Sequence, residues 1–505
     1  MFAAVPSAAL LGVQGHPVTV EVHASTGLPG FTVVGLPDEV CREARDRVRA
    51  ALLSSSFGWP NKRMTVNLAP SSQRKVGSGL DLAIAIGVLM ADGQIPAGCV
   101  EGFGFVGELG LDGSLRPVPG TVSLVAALGA VQPVVAAASH REAAVIDGRG
   151  VRIGKSLRGV VESLLGEAPW PDPPHELEHQ PDPAAANLAD VHGQVLARLA
   201  LEVAAAGGHH LLFVGPPGAG KTMLAQRLCG LLPALTADTA LAATMVHSAA
   251  GVALPAGGLV TRPPFRAPHH TSSMVALVGG GTASLRPGEI SLAHGGVLFM
   301  DELGEFSPSV LDGLRQPLEE GVVRVARARA NATLPARFLL VAATNPCPCG
   351  GGAPGACQCD DGARAKYMRR LSGPLLDRFD LRVPVDRPEI DDLLVGSPGE
   401  STAVVAARVA AVRDLALMRN GCLNSAIPAP LLDTVAPLDA AATSMLRSEM
   451  ERDLLTGRGY HRVRRVARTV ADLDARRPEV ISEEHLVMAL SFRVRLSTMR
   501  GGRAA

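Results

Sequence analysis

Residues 215–222 have the types and the spacing that could hold the phosphates of a nucleotide. They follow an apolar run, residues 211–214, that is typical of a buried strand, and they are, in order, Gly215, Pro216, Pro217, Gly218, Ala219, Gly220, Lys221 and Thr222. Glycines let backbone N–H groups surround phosphates, the lysine reaches the β- and γ-phosphates, and the hydroxyl after it can ligate Mg²⁺. A helix that begins just after this loop would add the positive end of its dipole. An ordinary strand–turn–helix is the alternative, but the pattern favours a nucleoside triphosphate site.

Two later apolar runs end in polar side chains suited to the hydrolysis of a nucleotide. Residues 296–300 are followed by Asp301 and Glu302, and residues 337–344 are followed by Asn345. A carboxylate pair at the tip of a strand suits Mg²⁺ coordination through Asp301 and activation of water through Glu302. The amide of Asn345 could orient the attacking water beside the γ-phosphate. The alternative, a surface carboxylate pair, is disfavoured by the phosphate loop upstream.

Arg378 lies in a short, tightly patterned segment, residues 371–380. By itself this arginine could form a structural salt bridge. It is, however, the fourth polar group in a series that begins with a phosphate loop. We therefore interpret it as an arginine finger, which stabilises charge on the ATP of a neighbouring subunit.

The composition is that of a large aliphatic α/β protein. The 505 residues predict roughly three domains, with 47% hydrophobic and only 3% aromatic residues. Basic and acidic residues balance at 48 each, so contact with a nucleic acid would need a local basic patch. No run reaches the ~18 uninterrupted apolar residues of a membrane span, so no membrane partner is expected. The N-terminus lacks the basic region of a secretory signal, and we expect the cytoplasm.

The pattern of elements predicts three domains and a linker. Residues 1–165 form an α/β domain. Its expected elements are strands at 18–22, 31–34 and 63–68 and helices at 40–48 and 80–86. Residues 166–187 are a proline-rich linker, residues 188–390 carry the phosphate loop, and residues 391–505 are helical and rich in alanine. A last helix should begin after the N-cap Ser482.

The polar groups described above, taken in their order along the chain, resemble those of AAA+ ATPases of the magnesium-chelatase clade. Within that clade the chain is similar to the YifB/ComM family of Mg-chelatase-like proteins, over almost the whole sequence. The resemblance is carried by residues 265–271, 286–294, 301–306, 314–319 and 372–380. It implies an N-terminal Lon-protease-like α+β domain of the ribosomal S5 domain 2 type, a central AAA+ P-loop ATPase domain and a C-terminal helical lid.

The resemblance also implies a role for each polar group. Walker A is the phosphate loop, and Walker B is the pair Asp301 and Glu302. Sensor 1 is Asn345, and the finger is Arg378. Arg458 is implied as the sensor 2 arginine of the helical lid over ATP. A solvated basic face is the alternative for Arg458, because other arginines follow on the same helix.

The first domain resembles the Lon type through residues 75–81 and 107–113. The position of the protease nucleophile falls on Gly79 and that of its lysine on Val122, with Ser78 one residue away. Proteolysis needs both a nucleophile and a base. We therefore expect this domain to be catalytically silent.

Between Walker A and Walker B the family carries an insertion that faces the pore of a ring. In this sequence the segment holds several basic side chains: Arg262, Arg266, His269 and His270, with Arg286 after them. Repeated around a ring, they would form a basic collar that grips DNA phosphates. Two alternatives stay open. Arg266 could pair with Glu289, and the histidines could pack against or cap a helix end.

Four of the eight cysteines fall within thirteen positions soon after Asn345: Cys347, Cys349, Cys357 and Cys359. Four thiolates could bind one tetrahedral Zn²⁺. The spacing Cys-x-Cys is tighter than the usual Cys-x₂-Cys, and cysteines are often simply buried. Free thiols therefore remain the alternative.

The sequence thus predicts a ring, in our interpretation a hexamer, whose subunits bind ATP and Mg²⁺ and convert hydrolysis into mechanical work. The resemblance favours single-stranded or branched DNA as the partner, through helicase or branch-migration activity in recombination or natural transformation. One alternative is a chelatase-type motor that remodels a protein partner. A second is an ATP-dependent Lon-like protease, which Gly79 and Val122 disfavour.

Overall fold

Three regions follow one another along the chain: an N-terminal α/β region, a central region around a parallel sheet, and a helical C-terminal region. They are seen in a computed structural model that describes residues 1–494 except for 73, 147–149, 174–185, 282–284, 328–329, 351–356, 358, 361, 364–365, 368–370, 372, 390, 392–393 and 395–398. Within this described part, no helix is both long enough and apolar enough to cross a lipid bilayer.

The N-terminal region combines a four-stranded sheet, a three-stranded sheet and the short β-ribbon of β6 and β7 with helices packed on them. Its strands are β1 (Phe2–Leu11), β2 (Gln14–Ser25), β3 (Gly30–Val34), β4 (Arg63–Ala69), β5 (Phe103–Val106), β6 (Glu108–Leu109), β7 (Leu115–Arg116), β8 (Gln132–Ala136) and β9 (Arg152–Gly154). Its helices are α1 (Glu39–Ser54), α2 (Asp81–Asp92), α3 (Thr121–Ala127), α4 (His140–Ala144) and α5 (Leu157–Leu164). The larger sheet has the order β1-β2-β4-β3, and the smaller, parallel one has the order β5-β8-β9.

The strands and helices expected from the sequence in this region are confirmed. Helix α2 is apolar all round and is buried from Asp81 to Ala91, because sheet strands and other helices cover it. The likeness of this region to the Lon type stays a prediction. The first part of the expected linker packs on the same region, since the ring centroid of Trp170 lies 5.6 Å from that of Phe103. Most of the linker lies outside the described residues.

The central region is built on five parallel strands. Its strands are β10 (Leu211–Val214), β11 (Phe265–Arg266), β12 (Gly279–Gly280), β13 (Arg286–Pro287), β14 (Val297–Met300), β15 (Val322–Arg327), β16 (Ala330–Pro335), β17 (Leu339–Thr344) and β18 (Leu381–Pro384). Its helices are α6 (Val195–Gly207), α7 (Lys221–Leu231), α8 (Ala237–Ala250), α9 (Met274–Val278), α10 (Glu289–Leu292), α11 (Pro308–Gly313), α12 (Arg315–Glu320) and α13 (Gly373–Leu376).

The order of the sheet, β11-β14-β17-β10-β18, explains how distant residues meet. Every residue of β10, β14 and β17 is buried, as expected for parallel strands covered on both faces. Because neighbouring strands are parallel, their carboxyl ends lie on one edge of the sheet. The phosphate loop, the acidic pair and Asn345 all follow such ends, so the sheet brings them to the same edge.

The C-terminal region is helical, with α14 (Thr402–Asn420), α15 (Leu432–Val435), α16 (Ala440–Glu451), α17 (Gly457–Leu473) and α18 (Glu483–Ser491). Helix α17 buries Val463, Val466 and Ala467 against the central region, because apolar residues three or four positions apart share one face of a helix. The expected start of the last helix is also confirmed. Ser482 precedes α18, and its backbone N–H donates to His485 Nδ1 at 3.1 Å.

Candidate active site

The phosphate loop joins β10 to α7 in a conformation that demands its glycines. Gly218 and Gly220 have φ of 78° and 85°, in the left-handed region that other residues adopt only with strain. At Gly215 a Cβ would lie 1.9 Å from the carbonyl oxygen of Val385, so the strand beside the loop leaves no room for a side chain. The glycine pattern thus follows from backbone geometry, and the absence of side chains at these glycines lets the backbone approach a ligand closely.

Lys221 reaches across the loop to the neighbouring strand. Its Nζ donates to the carbonyl oxygens of Gly215 at 2.7 Å and Pro216 at 2.9 Å, and to Asn345 Oδ1 at 3.1 Å. Burial lowers the pKa of Lys221, although the nearby carboxylates oppose this shift. The ammonium group of Lys221 is therefore bonded to acceptors beside the place where phosphate oxygens would bind. It also connects the loop to Asn345, the residue expected to orient water.

Thr222 and Asp301 meet at the same edge. Thr222 Oγ1 donates to Asp301 Oδ2 at 2.7 Å. A hydroxyl beside a carboxylate offers the hard oxygen ligands that Mg²⁺ prefers, so the residues fit a nucleotide-bound Mg²⁺. Together with the loop and Asn345 they line a cleft of about 460 Å³.

Glu302 is held by a residue that the sequence analysis placed elsewhere. The backbone at Glu302 has a φ of 49°, and its N–H donates to Asp301 Oδ1 at 2.9 Å. Its carboxylate lies 3.2 Å from His270 Nδ1. The proposed pore or capping role did not anticipate this contact. The signal was the position of His270 shortly after β11, a two-residue strand that pairs in parallel with β14.

Arg378 and Arg458 line a second cleft, of about 570 Å³, and not the first. The described residues around this second cleft are largely charged: His210, Glu319, Asp377, Arg378, Asp380, Arg458, Arg462 and Arg465, with Gly208, Leu318, Ser425 and Ala426. Arg378 pairs with Glu319. Helix α17 thus carries Arg458 to the Arg378 cleft, and its role as a sensor 2 arginine stays a prediction.

The Arg378 cleft lies at the opposite end of the sheet from the phosphate loop. His210 directly precedes β10, whereas Gly215 directly follows it. Arg378 likewise precedes β18, which runs parallel to β10 with Leu381 opposite Leu211. The loop therefore opens at the carboxyl ends of the strands and the arginines at the amino ends.

A buried carboxylate holds this second cleft together. Asp380 accepts a hydrogen bond from Arg462 at 3.4 Å and lies 3.1 Å from His209 Nδ1, while His209 Nε2 contacts Thr469 Oγ1 at 2.8 Å. Burial by itself would raise the pKa of Asp380, but the hydrogen bond to His209 and the charge of Arg462 hold it below its usual value. Asp380 thus connects the starts of β10 and β18 to helix α17. The sequence analysis missed this residue.

The basic collar is only partly supported by the geometry. Arg266 is not available to it, because its Nε and Nη2 donate to the two carboxylate oxygens of Glu289 at 2.7 and 2.8 Å. The alternative that paired these two residues is the one observed. His270 faces Glu302, as described above, while Arg262 and Arg286 are exposed.

The N-terminal positions expected to be silent carry no protease dyad. Val122 is fully buried in α3, and Gly79 has no side chain to act as a nucleophile. Ser78 donates instead to Glu108 in a cavity of about 340 Å³, and Lys75 is buried with its ammonium group donating to the carbonyl oxygen of Pro70. The absence of protease activity remains a prediction.

The chain matches three family models, which succeed one another along it. They are "Subunit ChlI of Mg-chelatase" at residues 20–137, "Magnesium chelatase, subunit ChlI" at 187–393 and "Magnesium chelatase, subunit ChlI C-terminal" at 399–493. The chain is 43% identical to the protein YifB of Escherichia coli (strain K12) over 502 residues, 96% of each chain. It is 43% identical to competence protein ComM of Haemophilus influenzae over 498 residues, 97% of each. A 175-residue stretch, 35% of this chain and 22% of the relative, is 28% identical to a probable DNA helicase MCM9 of Arabidopsis thaliana.

The central region is that of a P-loop protein, because the phosphate loop, the acidic pair and Asn345 lie on one edge of a parallel sheet. The family models place this protein in the AAA+ magnesium-chelatase type. Identity above 40% over nearly the full length of YifB and ComM narrows this class further. The chain belongs to the YifB/ComM family of Mg-chelatase-like proteins.

Proposed function

We propose that the protein is an ATP-hydrolysing motor that works as a ring of identical subunits, a hexamer. The observation that carries this proposal is the separation of the two clefts. One cleft has the groups that bind and hydrolyse a nucleotide, and the other has arginines that could stabilise the charge of a triphosphate. Neither cleft is complete by itself.

The two clefts are too far apart to serve one nucleotide within a single chain. His210 and Gly215 stand five residues apart on an extended strand, which corresponds to about 16 Å at ~3.3 Å per residue. A second copy that docks its Arg378 cleft against the phosphate loop would complete the site. Such a head-to-tail contact uses two different surfaces of each copy, and contacts of this kind close into rings when the rotation allows.

In the completed site each residue has a stated role. Lys221 binds the β- and γ-phosphates, and Thr222 and Asp301 would hold the Mg²⁺ that neutralises phosphate charge. Glu302 takes the proton of the attacking water, which Asn345 orients. Arg378 and Arg458 of the neighbouring copy then face the charge that develops on the transferred phosphoryl group.

We infer that DNA, single-stranded or branched, is what the ring moves along. Support comes from two relatives, one of which is named a competence protein and the other a probable DNA helicase. The contacts would be made by exposed arginines, Arg262 and Arg286, and by Arg324 on the hairpin of β15 and β16, where it pairs with the partly exposed Glu320. These groups would bind phosphates without reading bases, so binding should be sequence-tolerant and weaken steeply with salt.

The deciding experiment measures ATP hydrolysis by the full chain with and without forked DNA, at two salt concentrations. We expect DNA to stimulate turnover at low salt and the stimulation to fall as salt rises. The variant carrying Arg262→Ala and Arg286→Ala should lose stimulation while keeping basal turnover. Hydrolysis that no DNA substrate stimulates would instead favour a motor that remodels a protein partner, and no hydrolysis at all would contradict the motor itself.

A further inference from the structure

We propose that Cys347, Cys349, Cys357 and Cys359 bind one zinc ion, and that this site fixes the segment after Asn345 against the phosphate loop. The four Sγ atoms all lie within 4.8 Å of one another. Residues from two short segments, on either side of positions 350–356, converge to form the group. The zinc site is independent of the ATPase proposal, whereas its effect on hydrolysis rests on that proposal.

The distances between the sulfur atoms match a tetrahedral thiolate site. Cys347, Cys349 and Cys357 form a triangle with Sγ–Sγ distances of 3.4, 3.6 and 3.4 Å. Four sulfurs at ~2.3 Å from a zinc ion would be about 3.8 Å apart. A disulfide would instead bring two sulfurs to ~2.05 Å and separate them from the others. Three sulfurs at nearly equal distances, with Cys359 as the fourth, make up the corners of one coordination site.

A turn at residues 347–350 accommodates the tight Cys-x-Cys spacing of Cys347 and Cys349. Gly350 N–H donates to the carbonyl oxygen of Cys347 at 3.0 Å, and Gly350 has a φ of 72°. The turn brings the side chains of Cys347 and Cys349 to one side. Although Cys-x-Cys is tighter than the usual Cys-x₂-Cys spacing of zinc sites, both thiols can therefore face the same metal ion.

The ligand set selects the metal. All four ligands are thiols, and no histidine or carboxylate joins the group within the described residues. Soft thiolates favour zinc, Cu(I) or iron–sulfur clusters over the hard cations Mg²⁺ and Ca²⁺. A cluster of several irons would hold its cysteines farther apart than a single ion does. A single zinc ion is therefore the occupant to which the geometry points.

The site is in contact with the nucleotide cleft. Cys347 lies two residues after Asn345, whose amide oxygen accepts from Lys221. Gly350 packs so closely on Pro217 of the phosphate loop that a Cβ there would lie 2.7 Å from the proline ring. A metal that fixes the Cys347–Gly350 turn would therefore fix both Asn345 and one wall of the loop.

The metal content of untagged full-length protein, purified without added metal, tests the site. We expect about one zinc per chain by elemental analysis. Exchange with Co²⁺ should give a thiolate-to-cobalt charge-transfer band and the intense visible bands of tetrahedral cobalt. Cys349→Ser and Cys357→Ser should lose the metal, and Cys99→Ser and Cys422→Ser, which change cysteines outside the group, should keep it.

A measurement on the unmodified chain covers the case in which the cysteine variants do not fold. Titration with an organomercurial should release zinc to a chelating dye in proportion to the thiols that react. Protein without metal and with all four thiols reactive would overturn the proposal, and so would iron with inorganic sulfide. Folded Cys349→Ser that keeps its zinc would overturn it as well.

The effect on hydrolysis has its own readout. Zinc-free Cys349→Ser should lose at least about tenfold in kcat, the scale of a small displacement of a positioning group. Cys99→Ser should keep its kcat. Zinc-free Cys349→Ser with a normal kcat would contradict the coupling to Asn345 but not the zinc site, because zinc content is measured separately.

Discussion

The acidic pair illustrates how two adjacent side chains of the same type acquire different surroundings. Asp301 accepts from Thr222 with Oδ2, which faces the loop, and from the backbone N–H of Glu302 with Oδ1. Glu302 turns away in a left-handed conformation and meets His270. The first arrangement suits a metal ligand. In the second, the carboxylate of Glu302 would have to separate from His270 before it could act as the proposed base.

Substitution of these residues should separate nucleotide binding from hydrolysis. Lys221→Ala should abolish ATP binding, because the phosphates lose their main cationic partner. Glu302→Gln should bind ATP but stop turnover, because the amide keeps the shape and cannot accept the proton. Binding of a fluorescent ATP analogue and phosphate release measure the two effects. Hydrolysis by Glu302→Gln at the wild-type rate would contradict the assignment of the base.

His270→Ala should raise basal turnover modestly by releasing Glu302. A contact between two partly exposed polar side chains contributes about 0.2–1 kcal/mol, so we expect an increase of no more than about fivefold in kcat. His269→Ala is the matched control, since its Nδ1 contacts Thr271 and not Glu302. Equal effects of the two substitutions, or a loss of turnover in His270→Ala, would contradict a restraining role.

At the scale of elements, local patterns were sufficient for part of the site. The phosphate loop could be predicted because strand, turn and helix adjoin in sequence, and the acidic pair because it ends an apolar run. The contact between His270 and Glu302 could not, since β11 has only two residues and owes its place to pairing with β14. The location of Arg458 depends on how α17 packs against the central sheet, which its own periodicity does not specify. Asp380 was missed because its partners are 82 and 171 positions away.

The Asp380 contacts should make this residue important for stability as well as for the Arg378 cleft. Asp380→Asn leaves Arg462 without its carboxylate and should cost about 3–5 kcal/mol, the scale of a broken buried pair. Asp377→Asn is the control, because Asp377 is exposed and its Oδ1 lies 3.6 Å from Arg382 Nη2, a longer contact than those of Asp380. Denaturant unfolding followed by circular dichroism measures the difference. Equal stability of the two variants would contradict the role of Asp380.

The contact of Asp380 with Arg462 also predicts how stability depends on pH. The pKa of Asp380 in the folded protein lies below its unfolded value of ~3.9, so its contribution is fully present above that pH. The contribution is lost as the pH falls through the folded pKa, where the carboxyl becomes protonated in both states. The difference in free energy of unfolding between wild type and Asp380→Asn should therefore be constant from about pH 5 to neutral pH. It should narrow only in stronger acid. A difference that narrows near neutral pH would point to another group.

At the scale of the whole molecule, the positions of the two clefts matter more than the overall charge. The chain carries 48 basic and 48 acidic residues, so its net charge neither attracts nor repels other copies. The Arg378 cleft and the phosphate loop are different surfaces at opposite ends of one sheet, so the docking that we propose between copies would be heterologous. Each interface would then join the nucleotide groups of one subunit to the arginines of the next.

Mixing two inactive variants tests this arrangement directly. Arg378→Ala keeps the nucleotide groups and Lys221→Ala keeps the arginines, so a mixed ring contains interfaces in which both halves are intact. With equal amounts and random assembly, about a quarter of the interfaces should be complete, and ATPase activity should recover toward that fraction of the wild-type rate. A mixture of Lys221→Ala with Glu302→Gln is the control, because both substitutions damage the same half and no interface regains it. If native mass measurements show mixed rings and the first mixture stays as inactive as the control, Arg378 does not act on the neighbouring subunit.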